Sequence, residues 1–318
     1  MSDAKDMRDA FFDQVCEIGA VDKDVIILSN DMDVLSLKRF RENFPDQFIN
    51  AGVAEQNMIS IAAGLASTGK KVYVYGITPF VVFRCYEQIK FSICSMNLPV
   101  TIVGVGSGFS FGFDGPTHHA VHDVSVMRAL PEMHVFNPSD EALAAACAMV
   151  LDGFKSPSYI RLDKGVFPRL HTKFSGEYLN PFIFDKGARI LFDSEEKNDN
   201  IIIFSTGTLA SDIFWSTKEY RNVFLVDVWR LHPTPADELS FVFKKRDCKQ
   251  IITIEEHAYT GGLGSMITEF CADNSINIPI KRIAVRDEHS FNYGNRDWFR
   301  RNHKIDRDSL REAVESCL

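Results

Sequence analysis

The stretch that most constrains the fold is INAGVAEQNM at residues 49–58, which places one carboxylate, Glu55, at the predicted start of a helix. The residues that follow, ISIAAGLA at 59–66, are small and apolar. The helix dipole favours acids in a first turn, so Glu55 could be only a helix-start acid. A carboxylate buried against such a helix instead needs a partner or a raised pKa. The stretch by itself leaves both interpretations open.

Short β-branched runs alternate with amphipathic stretches on both sides of Glu55, a pattern typical of βαβ units and a parallel sheet. The pattern breaks after residue 165 and resumes at 201, which predicts a first domain over 1–165, a linker over 166–200 and a second domain over 201–318. A closing helix is expected from about Asp308. The predicted strands are 24–28, 71–75, 100–103, 133–136, 201–204, 223–226 and 250–254.

The composition is that of a globular protein and excludes several classes of function. The chain has 318 residues, 45% of them hydrophobic, and a net charge of -8, which argues against nonspecific binding to nucleic acid. No run approaches the ~18 apolar residues of a membrane span, and the polar start carries no signal region. The seven cysteines are scattered, as reduced thiols would be. We therefore expect a cytoplasmic protein that binds neither nucleic acid nor membrane.

Two motifs follow Glu55. In TPFVVFRCYEQ (residues 78–88), Phe80, Phe83 and Tyr86 have helical spacing and would form one stripe, which is usually core but also suits stacking of a flat heteroaromatic ligand. In FDGPTHH (residues 113–119), His118 lies four residues before His122, as two metal ligands on a helix would. A third ligand is not evident, so a structural or a substrate-binding histidine is the alternative.

The acid, the aromatic trio and the Asp-Gly-Pro-Thr-His run, in this order, resemble the pyrimidine-binding half of transketolase-type, thiamine-diphosphate-dependent enzymes from about Val25 to Gly165. The resemblance continues more weakly through STGT at 205–208 and EEHAYTGGLG at 255–264. It implies an α/β protein of two doubly wound domains, a pyrimidine-binding thiamine-diphosphate-fold domain and a smaller transketolase C-terminal-like domain. The glycine-rich turn at 261–264 could bind an anion, but it lacks the spacing of a phosphate loop.

The resemblance assigns the cofactor-binding residues. Glu55 would hydrogen-bond the ring nitrogen of the aminopyrimidine of thiamine diphosphate and favour its imino tautomer, which activates the thiazolium carbon. Phe83 would stack on the pyrimidine, while Phe80 and Tyr86 would line the rest of the slot, the tyrosine hydroxyl toward the exocyclic amine. The cofactor supplies the carbanion chemistry, and the protein supplies tautomer control and orientation.

The same resemblance assigns substrate contacts to Asp114 and His118, which would bind substrate hydroxyls, with His118 also moving protons as a catalytic residue. His119 stands where the family more often has glutamine, and it is left unassigned. A histidine usual in the family is replaced by Gly106, which leaves recognition of phosphorylated pentoses open.

Three arginines are candidate anion-binding residues. Arg161, at the end of a predicted strand, matches the family arginine that holds a substrate phosphate. Arg84 has a counterpart in deoxyxylulose-phosphate synthases, and Arg8 matches another phosphate-binding arginine of transketolases. A planar guanidinium suits bidentate phosphate recognition, although most surface arginines are merely solvated.

One departure predicts a partner. Family members hold Mg²⁺ and the diphosphate with a Gly-Asp-Gly and a later Asn, and this chain has no Gly-Asp-Gly. The resemblance therefore implies the C-terminal subunit of a split transketolase, paired as a dimer of heterodimers with an N-terminal subunit that carries this motif and mainly holds Mg²⁺. No metal ligand is assigned to this chain.

The expected activity is transfer of a two-carbon ketol unit from a ketose to an aldehyde, with sugar or sugar-phosphate substrates. The alternatives are the beta subunit of a 2-oxoacid dehydrogenase, a deoxyxylulose-phosphate-type synthase and a non-catalytic subunit that kept the fold. The Asp-Gly-Pro-Thr-His run favours transketolase, because dehydrogenase subunits tend to have Gly-Gln in place of Gly-Pro and no Asp.

Overall fold

The computed structural model describes residues 5–170, 184–193, 200–245 and 247–317, and these form two predominantly parallel sheets. The first sheet has the order β10-β5-β6-β4-β3-β1-β2, and only β10 runs antiparallel to its neighbour. Its strands are β1 (Val25–Ser29), β2 (Phe48–Asn50), β3 (Lys71–Ile77), β4 (Val100–Val105), β5 (His134–Phe136), β6 (Ser158–Leu162) and β10 (Arg230–His232).

Helices cover both faces of this sheet. Along β3, Val72 and Val74 pack into one hydrophobic cluster, whereas Tyr73 and Tyr75 pack into another on the opposite face. Side chains alternate across a strand, so a sheet buried on both faces gives a continuous apolar run instead of an alternating one. The helices are α1 (Met7–Val21), α2 (Leu35–Asn43), α3 (Glu55–Ser67), α4 (Thr78–Val82), α5 (Tyr86–Gln88), α6 (Asp123–Arg128) and α7 (Glu141–Leu151), with 3-10 turns at Pro45–Gln47 and Gly112–Asp114 and a π-helix at Ile89–Cys94.

The second sheet has the order β12-β11-β8-β9-β7, and β7 alone runs antiparallel to its neighbour. Its strands are β7 (Ala188–Asp193), β8 (Asn200–Ser205), β9 (Val223–Val228), β11 (Cys248–Ala258) and β12 (Ile280–Val285). The helices of this half are α8 (Leu209–Thr217), α9 (Ala236–Lys245), α10 (Leu263–Asp273), α11 (Arg296–His303) and α12 (Arg307–Glu315). The prediction of an α/β fold with two doubly wound units is confirmed.

The two halves of the chain are more interleaved than the sequence indicated. Strand β7 lies inside the segment predicted as linker, yet it pairs with β9 of the second sheet. Strand β10, from the predicted second domain, pairs with β5 of the first sheet. Strand β10 has three residues and β7 is half-buried at an edge, so neither gives a strong pattern in the sequence. The remainder of the predicted linker falls largely outside the described residues.

The glycine-rich turn before α10 binds a carboxylate of the chain itself. Glu255 accepts hydrogen bonds from the backbone N–H groups of Leu263 and Gly264, both at 2.7 Å. Helix N-termini are anion-binding sites, and here the anion is supplied by strand β11. The turn therefore caps a helix and is not open to an external phosphate. No helix of the described residues is long and apolar enough to cross a membrane.

Candidate active site

Glu55 is a buried carboxylate at the first position of α3, with only 2% of its surface exposed. Its Oε1 accepts a hydrogen bond from Asn30 Nδ2 at 2.9 Å, and its Oε2 accepts one from Arg84 Nη1 at 2.7 Å. Burial by itself raises the pKa of a carboxyl, but hydrogen bonds from its own N–H, Asn30 and Arg84 hold the pKa of Glu55 below its ordinary value. Glu55 is thus a buried, paired anion and not a solvent-facing helix-start acid.

The partner of this carboxylate, Arg84, lies on an aromatic ring. Its guanidinium carbon is 4.8 Å from the centroid of the Phe80 ring, and Gln56 Nε2 donates to the Arg84 backbone carbonyl at 3.1 Å. The Arg84 side chain is 46% exposed, so the ion pair is buried only at the Glu55 end. A planar cation here donates an N–H to Glu55 and stacks on a ring at the same time.

A cavity of about 340 Å³ opens beside Arg84. Phe80 and Phe83 lie in its wall, and Phe83 is 38% exposed. Residues from both halves of the chain line this cavity, because the loop after β12 of the second sheet forms one side of it. The lining residues are Pro79, Phe80, Phe83, Arg84, Phe109, Pro116, Thr117, His119, Val121, His122, Glu288, His289 and Ser290.

The predicted aromatic stripe is only partly formed. Helix α4 ends at Val82 and α5 begins at Tyr86, so the helix is interrupted between Phe83 and Tyr86. Tyr86 packs against the core, and its hydroxyl donates to the Val126 carbonyl at 3.0 Å. The Tyr86 hydroxyl is therefore bonded to the protein backbone, and Tyr86 does not line the cavity, whereas Phe80 and Phe83 do.

The segment that contains Asp114 and His118 lies against the same aromatic residues. The His118 ring packs edge-on against Phe80, with centroids 5.1 Å apart, and its Nδ1 is 3.0 Å from Thr117 Oγ1. Asp114 is exposed at the end of a 3-10 turn. His119 is buried between Phe109 and Phe299, and this burial lowers the pKa of its imidazole. His118 is thus brought next to the cavity wall.

The alternative of a metal site at His118 and His122 does not fit the local backbone. The chain between these residues forms a turn and a bridge instead of a helix, so they do not share a helical face. Within 5–170, 184–193, 200–245 and 247–317, no group of three His, Cys, Asp or Glu side chains is placed to hold a metal ion.

Gly106 has a specific steric role. Its φ is 91°, and a Cβ atom at this position would lie 2.1 Å from Phe111 Cε2. The Phe111 ring therefore occupies the space that a side chain would need, and the positive φ strains any residue other than glycine.

Arg161, the predicted phosphate-binding arginine at the end of β6, is buried outside the cavity. The side chain is 3% exposed, and its Nε lies 2.8 Å from an Asp123 carboxylate oxygen. Its Nη2 donates to the backbone carbonyls of Ala120 and Glu256. These internal partners surround the guanidinium, and Arg161 does not line the cavity.

Arg8 also lies away from the cavity. It pairs with Asp6 at 2.7 Å, next to the N-terminus of α1, and it is not among the lining residues. Of the three predicted anion-binding arginines, only Arg84 lines the cavity.

Two contributors to the site were not predicted from the sequence. Asn30, which binds Glu55, directly follows strand β1, and ligand-binding residues of open α/β sheets gather at the carboxyl ends of strands. His289 and its neighbours in the loop after β12 also line the cavity. The strand-end rule would have identified Asn30, but no pattern in the sequence places the second domain against this cavity.

Comparisons with known proteins identify the family of the chain. Residues 3–169 match the transketolase pyrimidine-binding domain family. The chain is 30% identical to one of the subunits of the apulose-4-phosphate transketolase of Actinobacillus succinogenes, over 90% of this chain and 89% of that protein. It is also 30% identical to a 6-deoxy-6-sulfo-D-fructose transketolase subunit of Clostridium sp., over 88% of this chain and 85% of that protein.

A solved structure extends the match to the whole chain. A split-gene transketolase described as an inactive beta4 tetramer superposes with a TM-score of 0.83 at 25% identity, and the match covers 99% of both chains. The family match, the relatives and this structure together account for both sheets. The chain therefore belongs to the transketolase family, as a split-type subunit that carries the pyrimidine-binding domain and the C-terminal domain.

Proposed function

We propose that this chain is one subunit of a two-chain, thiamine-diphosphate-dependent transketolase that transfers a two-carbon ketol unit from a ketose to an aldehyde. The observation that carries the proposal is the buried carboxylate of Glu55, which pairs with Arg84 in the wall of an aromatic-lined cavity. Family membership supports dependence on the cofactor.

The residues present fit an aminopyrimidine. The Arg84 guanidinium, a planar group with N–H donors, already contacts Glu55 and lies on Phe80. A pyrimidine ring protonated at its ring nitrogen is also planar and also donates an N–H, so the same carboxylate and aromatic wall suit it. Glu55 would accept that N–H, and Phe83 and Phe80 would hold the ring. Bound thiamine diphosphate would supply the carbanion that adds to carbonyl groups.

The other residues of the site would act on substrate. His118 lies beside Phe80 and would exchange protons with substrate oxygens, while Asp114, exposed on the same segment, would accept hydrogen bonds from substrate hydroxyls. Arg84 lines the cavity and would meet an anionic substituent. The two relatives named for apulose-4-phosphate and for 6-deoxy-6-sulfo-D-fructose act on anionic sugars by their names, which supports an anionic substrate here.

The diphosphate and Mg²⁺ would be held mainly by a separately encoded N-terminal subunit with Gly-Asp-Gly and a later Asn, in a dimer of heterodimers. Support comes from the relative named as one subunit of a transketolase and from the split-gene chain described as inactive in its beta4 form. The test is reconstitution with a candidate N-terminal subunit. Ketol transfer by the pair, with weak cofactor binding by either chain alone, is expected. Tight cofactor binding by this chain alone, or release of CO₂ from a 2-oxoacid without use of ketoses, would refute the assignment.

A further inference from the structure

The segment that contains Asp114 and His118 is a closed loop, here called the substrate loop (residues 108–120). Its ends form an antiparallel bridge, in which the N–H of Gly108 donates to the Ala120 carbonyl at 3.0 Å and the N–H of Ala120 donates to the Gly108 carbonyl at 2.9 Å. A loop closed at its neck moves as a unit, so whatever holds the neck sets the position of the residues it carries.

A carboxylate of the second sheet holds the first side of this neck. Glu256, near the end of β11 and 4% exposed, accepts a hydrogen bond from the Phe109 backbone N–H through Oε1 at 2.7 Å. Gly108 has a φ of 56°, and a Cβ there would lie 2.3 Å from Glu256 Oε1. Glycine at 108 is therefore what allows the carboxylate to reach the loop backbone.

Two arginines of α11 fix Glu256 in turn. Arg296 Nε lies 2.9 Å and 3.0 Å from the two carboxylate oxygens, and Arg300 Nη2 lies 2.6 Å from Oε2. Although burial would raise the pKa of Glu256, these guanidinium groups hold it below its ordinary value. Arg296 also pairs with Asp163 at 2.6 Å, and Asp163 accepts a hydrogen bond from Ser107, the residue before the neck.

The second side of the neck is held against the same strand. The N–H of Ala258 donates to the Val121 carbonyl at 2.8 Å, directly after the loop. Arg161 bridges the two chain segments, because its Nη2 donates to the carbonyls of both Ala120 and Glu256. The buried Arg161 thus joins the loop neck to β11 and does not face the cavity.

We infer that the second domain positions the substrate loop of this enzyme, with Glu256 as the positioning residue that fixes the neck at Phe109 and thereby aligns His118 with the cavity. Glu256 touches no reacting group and acts through the loop backbone. The alignment of His118 as a substrate-binding group rests on the proposed function, whereas the attachment of the loop to Glu256 does not.

The test uses the full-length chain and a matched pair of substitutions. Glu256→Asp keeps the charge that Arg296 and Arg300 require but shortens the side chain by one methylene, so the carboxylate withdraws from the Phe109 N–H. Glu255→Asp shortens the neighbouring buried acid, which caps α10 and does not contact the loop. Amide hydrogen exchange is measured by mass spectrometry on peptides that span residues 109–119.

Glu256→Asp is expected to accelerate exchange in this segment about ten-fold or more, whereas Glu255→Asp leaves it at the wild-type rate and accelerates exchange at the start of α10. In the reconstituted enzyme, Glu256→Asp should lower kcat for ketol transfer at least ten-fold and should raise the Kd for thiamine diphosphate by a smaller factor, because Glu55, which would bind the pyrimidine, is not part of the loop. Wild-type protection in Glu256→Asp, or equal loss of protection in both variants, would overturn the inference.

Faster exchange without a change in kcat would also overturn the positioning role. If the wild-type complex transfers no ketol unit at all, the proposed function fails, while the exchange comparison still decides whether Glu256 holds the loop.

Discussion

The contact between Arg84 and Glu55 predicts that this arginine weakens binding of the cofactor. The guanidinium bonds the Glu55 carboxylate and lies on Phe80. By the proposed function, the pyrimidine ring would need the same carboxylate and the same aromatic wall. Cofactor binding would then require the ion pair to open. Arg84→Met removes the competing cation while keeping a flexible apolar side chain beside the ring. Thiamine diphosphate should therefore bind the reconstituted Arg84→Met complex more tightly than wild type.

The magnitude follows from the two contacts. A hydrogen bond to a charged group contributes ~1.5–3 kcal/mol, but the Arg84 side chain is nearly half exposed, so solvent screening reduces this to about 1 kcal/mol. A cation on an aromatic ring at an exposed position adds ~0.5–1 kcal/mol. Removal of an Arg84 side chain whose contacts contribute about 1.5–2 kcal/mol should lower the Kd for thiamine diphosphate by roughly 10- to 30-fold.

Calorimetric titration of thiamine diphosphate, with Mg²⁺ in excess, measures this change. The matched control is Arg41→Met, because Arg41 also pairs with a carboxylate, Asp33 at 3.2 Å, and lies over an aromatic ring, Phe48 at 5.8 Å, away from the cavity. The control should retain the wild-type Kd. An unchanged or higher Kd in Arg84→Met would refute the reasoning and show that Arg84 and the pyrimidine do not compete for Glu55.

Further predictions concern four other positions. Glu55→Ala should lower turnover of the complex by ~10²–10⁴ while thermal unfolding of the chain stays cooperative, and near wild-type turnover would contradict the assignment. His118→Ala should lower kcat more than it raises KM, which steady-state kinetics on the anionic acceptor would show, and an effect on KM alone would indicate simple binding. Burial raises the pKa of Asp163, but Arg296 and hydrogen bonds outweigh burial and lower this pKa to about 2. Because the pKa is lower in the folded than in the unfolded chain, ionised Asp163 stabilises the fold by ~2 kcal/mol above pH ~4, and this stabilisation is lost as the pH falls toward 2. Acid unfolding of Asp163→Asn should therefore show a shallower pH dependence, and an unchanged slope would contradict this. Gly106→Ala should destabilise the chain by ~1–3 kcal/mol in denaturant unfolding, since the positive φ is strained and Phe111 occupies the space, and full stability would show that the ring can move.

Much of the first domain could be predicted from local pattern. Strands β1, β3 and β4 lie where β-branched runs predicted them, because a sheet buried on both faces requires continuous apolar residues. Glu55 was identifiable because a carboxylate that opens an apolar helix conflicts with its surroundings, and such conflicts mark functional positions. The order of the acid, the aromatic trio and the Asp-Gly-Pro-Thr-His run determined the family before any fold was known.

Other features depended on contacts between residues far apart in the chain. Sequence alone suggested that Arg161 was free to bind phosphate, but a carboxylate and two backbone carbonyls enclose it. Glu255 and Glu256 are adjacent and chemically identical, yet alternation along β11 sends one to cap α10 and the other to the substrate loop. The sequence determines which groups are available to a site, whereas only tertiary packing decides which of them become buried. A buried charge loses its contact with water, so it pairs with whichever partner the fold brings within hydrogen-bonding distance.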